Sequence, residues 1–218
     1  MCTLTIISLA KDPDETSLRE GYRVVVNRDE SRKRPPATPP RRHEVDGLAC
    51  VWPTDPLAGG TWIAAAETGL TLAILNGAPT PMPPMPPKDR LTTRGLIVPT
   101  LLSSPDAETA AARLADEFDL DAFAPFRFVA IDRARVVDLF WNRSGLARAE
   151  QATTPLCYVS SGLGDAKVAG RLDVFAEWWT EGVTPERQDG YHLHRWAHKP
   201  ELSVMMARPD ARTVSQTV

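Results

Sequence analysis

An α+β fold of antiparallel sheets, with helices segregated on their outer faces, is predicted by three observations. Short apolar runs rich in valine and isoleucine dominate both ends of the chain. Helical periodicity is confined to two blocks between them. Two strand pairs are joined by turns too short for a crossover helix, which removes the regular alternation of a parallel α/β sheet.

Residues 3–9 (TLTIISL) read as a buried strand that begins directly after Cys2, and residues 22–27 (YRVVVN) as a second. A polar, basic, proline-rich loop follows them. Strands are predicted again at 48–52, 61–66 and 70–75, the last two turned by Glu67-Thr68-Gly69. Residues 79–87 (PTPMPPMPP) must be extended and polyproline-like, and are placed on the surface. A helix over about 94–103 contains Pro99. A second has Ser104 as cap and Pro105 in its first turn, with Ala107, Ala111, Leu114 and Phe118 along one face. Strands return at 126–131, 136–142 and 156–160. A third helix over 165–180 buries Val168, Leu172, Phe175 and Trp179, and a short helix covers 189–198. The chain closes on a hairpin, 202–207 and 212–217, turned by Pro209-Asp210.

The 218 residues suit one domain, 1–218. A net charge of −3 argues against the broad basic face that nucleic acid requires. No apolar stretch approaches the ~20 residues of a membrane span. The start, MCTLTIISLA, lacks the basic region and cleavage site of a secretory signal. Cys2, Cys50 and Cys157 are odd in number and far apart, a poor framework for disulfides or zinc. A reducing, cytoplasmic location is the expectation.

Cys2 carries the first functional signal. Methionine before a small residue is normally trimmed, which would place a thiol and a free α-amine on one residue. The amine titrates near 7.7–8.0 and the thiol near 8.5 in unperturbed form, so the amine can act as general base for the thiol. Taken alone, a cysteine at position 2 is more often just the residue before a strand. Strand 22–27 runs into Asn27-Arg28-Asp29-Glu30, where an arginine would favour a nearby thiolate and a carboxylate would hold the α-ammonium. The hairpin 61–75 ends at Leu75-Asn76-Gly77, and an asparagine carboxamide can stabilise an oxyanion. The other signals are weaker. His194 and His198 share a face at i, i+4, but no carboxylate completes a metal motif. Gly162-Leu163-Gly164 matches only the start of a dinucleotide fingerprint. Neither a metal nor a cofactor is expected.

Together, MCT at the start, NRDESRKRP at 27–35, GGTWIAA at 59–65 and the hairpin GLTLAILNG resemble the NRDE protein family, also called the transport and Golgi organisation family. The resemblance continues through Ser160-Ser161 to DARTVS at 210–215. More remotely, the chain is similar to the cysteine N-terminal-nucleophile hydrolases that cleave bile-salt conjugates and penicillin V. That resemblance implies a four-layer αββα sandwich with Cys2 as nucleophile, Arg28 as the first arginine and Asn76 as the oxyanion-hole asparagine. The aspartate of those enzymes falls on Ser31 here, so Asp29 or Glu30 would substitute; a later asparagine falls on Ser161.

The implied reaction is hydrolysis of a linear carbon–nitrogen amide through an acyl-thioester on Cys2, with Arg28 and Asp29 tuning the nucleophile, Asn76 holding the oxyanion, and Asn27, Glu30 and Ser161 around the substrate. The resemblance also implies an alternative, a non-catalytic carrier for an apolar ligand such as haem or lipid, to which Trp141, Trp178 and Trp179 would contribute. The partner is thus a small-molecule substrate or an apolar ligand.

Overall fold

The computed structural model describes residues 2–10, 16–200 and 202–218; Met1, whose removal the sequence leads one to expect, lies outside them. The chain divides into two compact units, one built from its two ends, up to Arg34 and from Ala152 onward, the other from Pro35–Gln151.

The discontinuous unit is a four-stranded antiparallel sheet in the order β10-β1-β2-β11. Its strands are β1 (Cys2–Ser8), β2 (Tyr22–Ser31), β10 (Leu156–Ser160) and β11 (Ala211–Thr217). Alternation along β1 and β2 sends Cys2, Leu4, Ile6, Val24, Val26 and Arg28 to one face, and Thr3, Thr5, Val25, Asn27 and Asp29 to the other. Helices α3 (Gly170–Trp178) and α4 (Pro185–Leu193) serve that second face. It is unusually polar for a buried surface, and each hydroxyl is met. Arg171 Nη1 donates to Thr3 at 2.8 Å. Gln188 Nε2 donates to Thr5 Oγ1 at 2.9 Å, and His192 Nε2 lies 2.7 Å from the same oxygen. Most buried polar groups in native proteins are paired in this way. A smaller apolar cluster of Phe175, Tyr191 and Val204 lies among the helices.

The continuous unit is a seven-stranded antiparallel meander in sequence order, β3 to β9. Its strands are β3 (Thr38–Val45), β4 (Leu48–Thr54), β5 (Ile63–Ala66), β6 (Thr71–Asn76), β7 (Phe126–Ile131), β8 (Val136–Trp141) and β9 (Leu146–Gln151). Helices α1 (Ile97–Leu101) and α2 (Ala107–Glu117) bury Ile97, Val98, Leu101, Ala110, Ala111 and Leu114 against Leu72, Ile74, Phe126, Phe128 and Leu139. Two glycines are dictated by close approach. A Cβ on Gly60 would lie 2.5 Å from the Gly95 carbonyl carbon, and one on Gly77 would lie 2.9 Å from the Phe126 nitrogen. The motifs at 59–65 and 75–77 therefore require glycine at those two places.

Several elements differ from expectation. Residues 38–45, expected as loop, form β3, and β9 was not foreseen. Both are edge strands whose side chains are mostly exposed, so neither carries the apolar alternation that betrays a strand. The cap of α2 is Asp106, which accepts from the Thr109 N–H at 2.7 Å, and not Ser104; Ser104 Oγ instead accepts from Arg113. Pro99 fits inside α1 because it sits in the first turn, where no intrahelical N–H is needed. Leu172 is 40% exposed, since the buried position of that turn is taken by Arg171. The short helix begins earlier than expected, at Pro185, capped by Thr184. Of the final hairpin only β11 is a strand; Ala207 contributes a single bridge to Arg212. No helix among the described residues is long and apolar enough to cross a membrane.

Candidate functional site

Cys2 opens β1 and is held from both sides. It stands directly opposite Arg28 on β2 and opposite Ser160 on β10. Directly opposed residues project to the same face, so Ser160, Cys2 and Arg28 form a row across the sheet. Ser215, opposite Arg28 on β11, extends it. All of Cys2, Arg28 and Ser160 are buried. Burial pushes the Cys2 thiol up from its ordinary value. The carboxylate of Asp29 adds to this, while a hydrogen bond from the Asp29 backbone N–H and the charge of Arg28 oppose it.

The two carboxylates of the NRDE segment are separated by the pleat. Glu30 shares the face of Cys2 and Arg28, and its Oε1 lies 3.1 Å from Arg28 Nη2 and 3.9 Å from Arg34 Nε. Asp29 faces the helices. Its Oδ1 accepts from Thr213 Oγ1 at 2.6 Å, and its Oδ2 lies 3.5 Å from Arg171 Nη1, with both side chains of that pair fully buried. Burial raises the Asp29 pKa, with Arg171 and Thr213 opposing. Asn27, also on the helix face, donates through Nδ2 to the carbonyls of His192 at 2.7 Å and Val204 at 3.1 Å. It ties the end of α4 and the segment before β11 to the sheet.

Ser161 follows β10 and is fully buried; its N–H donates to Asp165 at 2.9 Å and its Oγ accepts from Leu163 N at 3.1 Å, which fixes the turn into α3. Asn76 ends β6 in the other unit with an exposed side chain, and Gly77 N donates to the Pro125 carbonyl at 2.9 Å just beyond it.

Four residues of this neighbourhood were not singled out from sequence as parts of the site: Ser160, Arg171, His192 and Thr213. Ser160 and Thr213 stand in the segments SS and DARTVS, but nothing local distinguishes them from ordinary strand residues. An arginine inside a helix reads as solvent-facing until the carboxylate beneath it is known. His192 is fully buried, and burial, with the charges of Arg23 and Arg171, holds its pKa down at about 3. The other thiols lie elsewhere: burial drives Cys157 up to about 12 and also raises Cys50. Among the described residues no cluster of His, Cys, Asp and Glu is arranged to hold a metal. Trp141 belongs to the core of the continuous unit. Trp178 and Trp179 pack around Tyr191 and Phe175 respectively, and Trp178 also lines, with Trp196, His194, Arg187, Glu177 and Val174, a cleft of about 430 Å³.

Among solved structures, the chain is similar to a Caenorhabditis elegans N-acylethanolamine-hydrolyzing acid amidase ortholog, with a TM-score of 0.58 and 10% identity over 88% of this chain and 85% of that one. Penicillin V acylase from Agrobacterium tumefaciens matches with a TM-score of 0.44 and 11% identity over 81% of this chain. The C2A mutant of the conjugated bile acid hydrolase from Clostridium perfringens matches with a TM-score of 0.48 and 12% identity over 80% of it. The chain spans 57% of the length of each of these last two. None of the curated proteins matches the sequence significantly. The amidase likeness covers most of both chains and establishes the α+β, N-terminal-nucleophile-hydrolase type of fold, with its two antiparallel sheets. A family model, Transport and Golgi organisation 2, matches residues 1–202, which take in every motif from MCT to Ser161, and the chain belongs to that family.

Proposed function

We propose that this protein is a cysteine amidohydrolase that cleaves a linear carbon–nitrogen amide through an acyl-thioester on Cys2. The observation that carries the reading is the setting of the thiol: buried, directly opposite Arg28, with the Asp29 N–H hydrogen-bonded to its sulfur. Those two groups oppose the burial that disfavours a thiolate. Support also comes from the fold shared with an amidase that hydrolyses N-acylethanolamines.

In the proposed reaction, removal of Met1 leaves the α-amine on Cys2. The amine takes the thiol proton as sulfur attacks the amide carbonyl, and the carbonyl electron pair moves to oxygen. Asn76, which has this role by resemblance alone, donates to that oxygen together with a backbone N–H. Collapse breaks the carbon–nitrogen bond, and the α-ammonium protonates the departing nitrogen. Water then adds to the thioester carbonyl and releases the acid, with Cys2 leaving as the thiol. Arg28, paired with Glu30, keeps positive charge beside the sulfur throughout.

The test is intact-mass analysis after exposure to p-nitrophenyl acyl esters and to N-acyl amides. An acyl adduct that maps to Cys2 and disappears in Cys2→Ala is the expected result. A wild-type protein that lacks Met1 yet forms no adduct and hydrolyses neither class would overturn the reading and favour a carrier.

A further inference from the structure

Ser160 is the last residue of β10 and stands directly opposite Cys2. Its side chain projects to the Cys2 face, with the two Cβ atoms of such a pair about 4.5–5.5 Å apart. The residue is 1% exposed, and its Oγ has no hydrogen-bond partner among the described residues. Buried hydroxyls in native proteins are nearly always paired, so an unpaired one beside a candidate nucleophile calls for a ligand atom. The adjacent Ser161 offers a contrast, because its hydroxyl is occupied by the Leu163 N–H.

The geometry also decides which ligand atom. When a cysteine sulfur attacks a carbonyl, the oxygen that becomes negative is two bonds from the sulfur. A donor to it belongs about 2.7–3.1 Å from that oxygen, beside the sulfur and not bonded to it. A hydroxyl one strand away, on the same face and without a bond to the thiol, meets that requirement. We propose that Ser160 is an oxyanion donor of the Cys2 site, its hydroxyl hydrogen-bonding the carbonyl oxygen of an acyl group under attack by Cys2. The sulfur–carbon bond forms, the carbonyl electron pair moves to oxygen, and the Ser160 O–H donates to that oxygen without giving up its proton. Collapse restores the carbonyl and expels the leaving group. The assignment rests on the acyl-transfer reading of Cys2.

Two reactions of the same thiol separate this role from a structural one. Alkylation by iodoacetamide displaces iodide from a saturated carbon and creates no oxyanion. Acylation by p-nitrophenyl acetate passes through one and releases p-nitrophenolate. Ser160→Ala should slow acylation of Cys2 by on the order of 10²-fold and leave its alkylation unchanged. Ser160→Thr, which keeps the hydroxyl, should acylate much faster than Ser160→Val, which has nearly the same shape without it; this pair stands in if the alanine variant does not fold. Equal acylation by wild type and Ser160→Ala overturns the donor role and leaves the cysteine reading intact. A parallel fall in alkylation and acylation also overturns it, because Ser160 then acts on the thiol. Wild-type protein that alkylates at Cys2 but never acylates there overturns both.

Discussion

Arg171 and Asp29 form an ion pair at 3.5 Å in which neither side chain reaches solvent. The carboxylate belongs to the NRDE segment, and the guanidinium reaches it from α3 while also donating to Thr3 on β1. The helix is thereby fastened to the two strands that carry Cys2 and Arg28. Breaking a buried pair by removing one partner typically costs 3–5 kcal/mol, because the other charge is left behind. Arg171→Met should lower the unfolding free energy, read from urea denaturation, by about 3–5 kcal/mol. The loss should grow with pH, since burial raises the Asp29 pKa above its unfolded value and the cost of ionising it sets in as pH rises through the folded value. A double variant, Asp29→Asn with Arg171→Met, should lose less than the sum of the two; strict additivity would show that the pair is not coupled.

His192 predicts acid sensitivity. Its pKa is about 3 in the folded chain against an ordinary 6.5, so the unfolded chain binds the extra proton between those values. Stability should be full above pH 6.5 and fall below it, with a slope approaching about 1.4 kcal/mol per pH unit from this residue. Denaturation midpoints between pH 7 and 5 test it. His192→Gln should flatten the profile; a slope unchanged in that variant would assign it to other groups.

The three thiols should label in order. Cys157 is pushed up to about 12, and Cys50 is raised by burial with the charge of Glu67 adding to it. Cys2 has the Arg28 charge and a backbone N–H working against its burial, whereas Cys157 stays at about 12 in spite of Tyr191 and Arg171. Limiting iodoacetamide near neutral pH, followed by peptide mapping, should find Cys2 modified first, on protein whose intact mass lacks Met1. Earlier modification of Cys50 or Cys157 would contradict the assignment.

Arg28 should tune that reactivity. Its charge favours the thiolate, and Arg28→Ala should move the Cys2 alkylation profile to higher pH. Arg28→Lys should recover part of the shift, because a point charge replaces the planar fork that meets Glu30. An unmoved profile in Arg28→Ala would show that the ion pair with Glu30 only organises the strand end.

Asn76 separates chemistry from folding. Its side chain is exposed at the end of β6, so Asn76→Ala should change stability by no more than about 0.5 kcal/mol. As an oxyanion donor it should nevertheless support acylation by roughly 10²–10³-fold. Wild-type acylation in that variant would leave the carboxamide without the role that resemblance gives it.

Much of the fold was legible because apolar runs declare themselves. β1, β2, β6, β7, β8 and β10 all coincide with stretches such as TIIS, VVV and FVAI. The edge strands β3 and β9 were illegible for the opposite reason: Arg41, Arg42, Arg148 and Glu150 face water and carry no period that composition can reveal. The NRDE segment announced itself as polar and strand-terminal. What the sequence could not say is which carboxylate lies on which face, since that depends on the register of β2 against β1, and register is a tertiary property. Arg171, Ser160 and Thr213 were hidden for the same reason, as their meaning comes from partners more than a hundred residues away.

The discontinuity of the four-stranded unit has a consequence for the order in which the protein is made. β1 and β2 emerge first from the ribosome, yet β10 and β11, which flank them, emerge only after the whole meander of β3 to β9. That meander pairs only strands that are neighbours in sequence, so its contacts can form while synthesis continues. Throughout that interval the strand bearing Cys2 has only β2 for company, and its outer edge is bare. The Cys2 end of β1 is therefore open along that edge until β10 arrives. Pairing of Ser160 with Cys2 closes the sheet late, so whatever must reach that end of β1 along the open edge has the whole synthesis of the meander in which to do so.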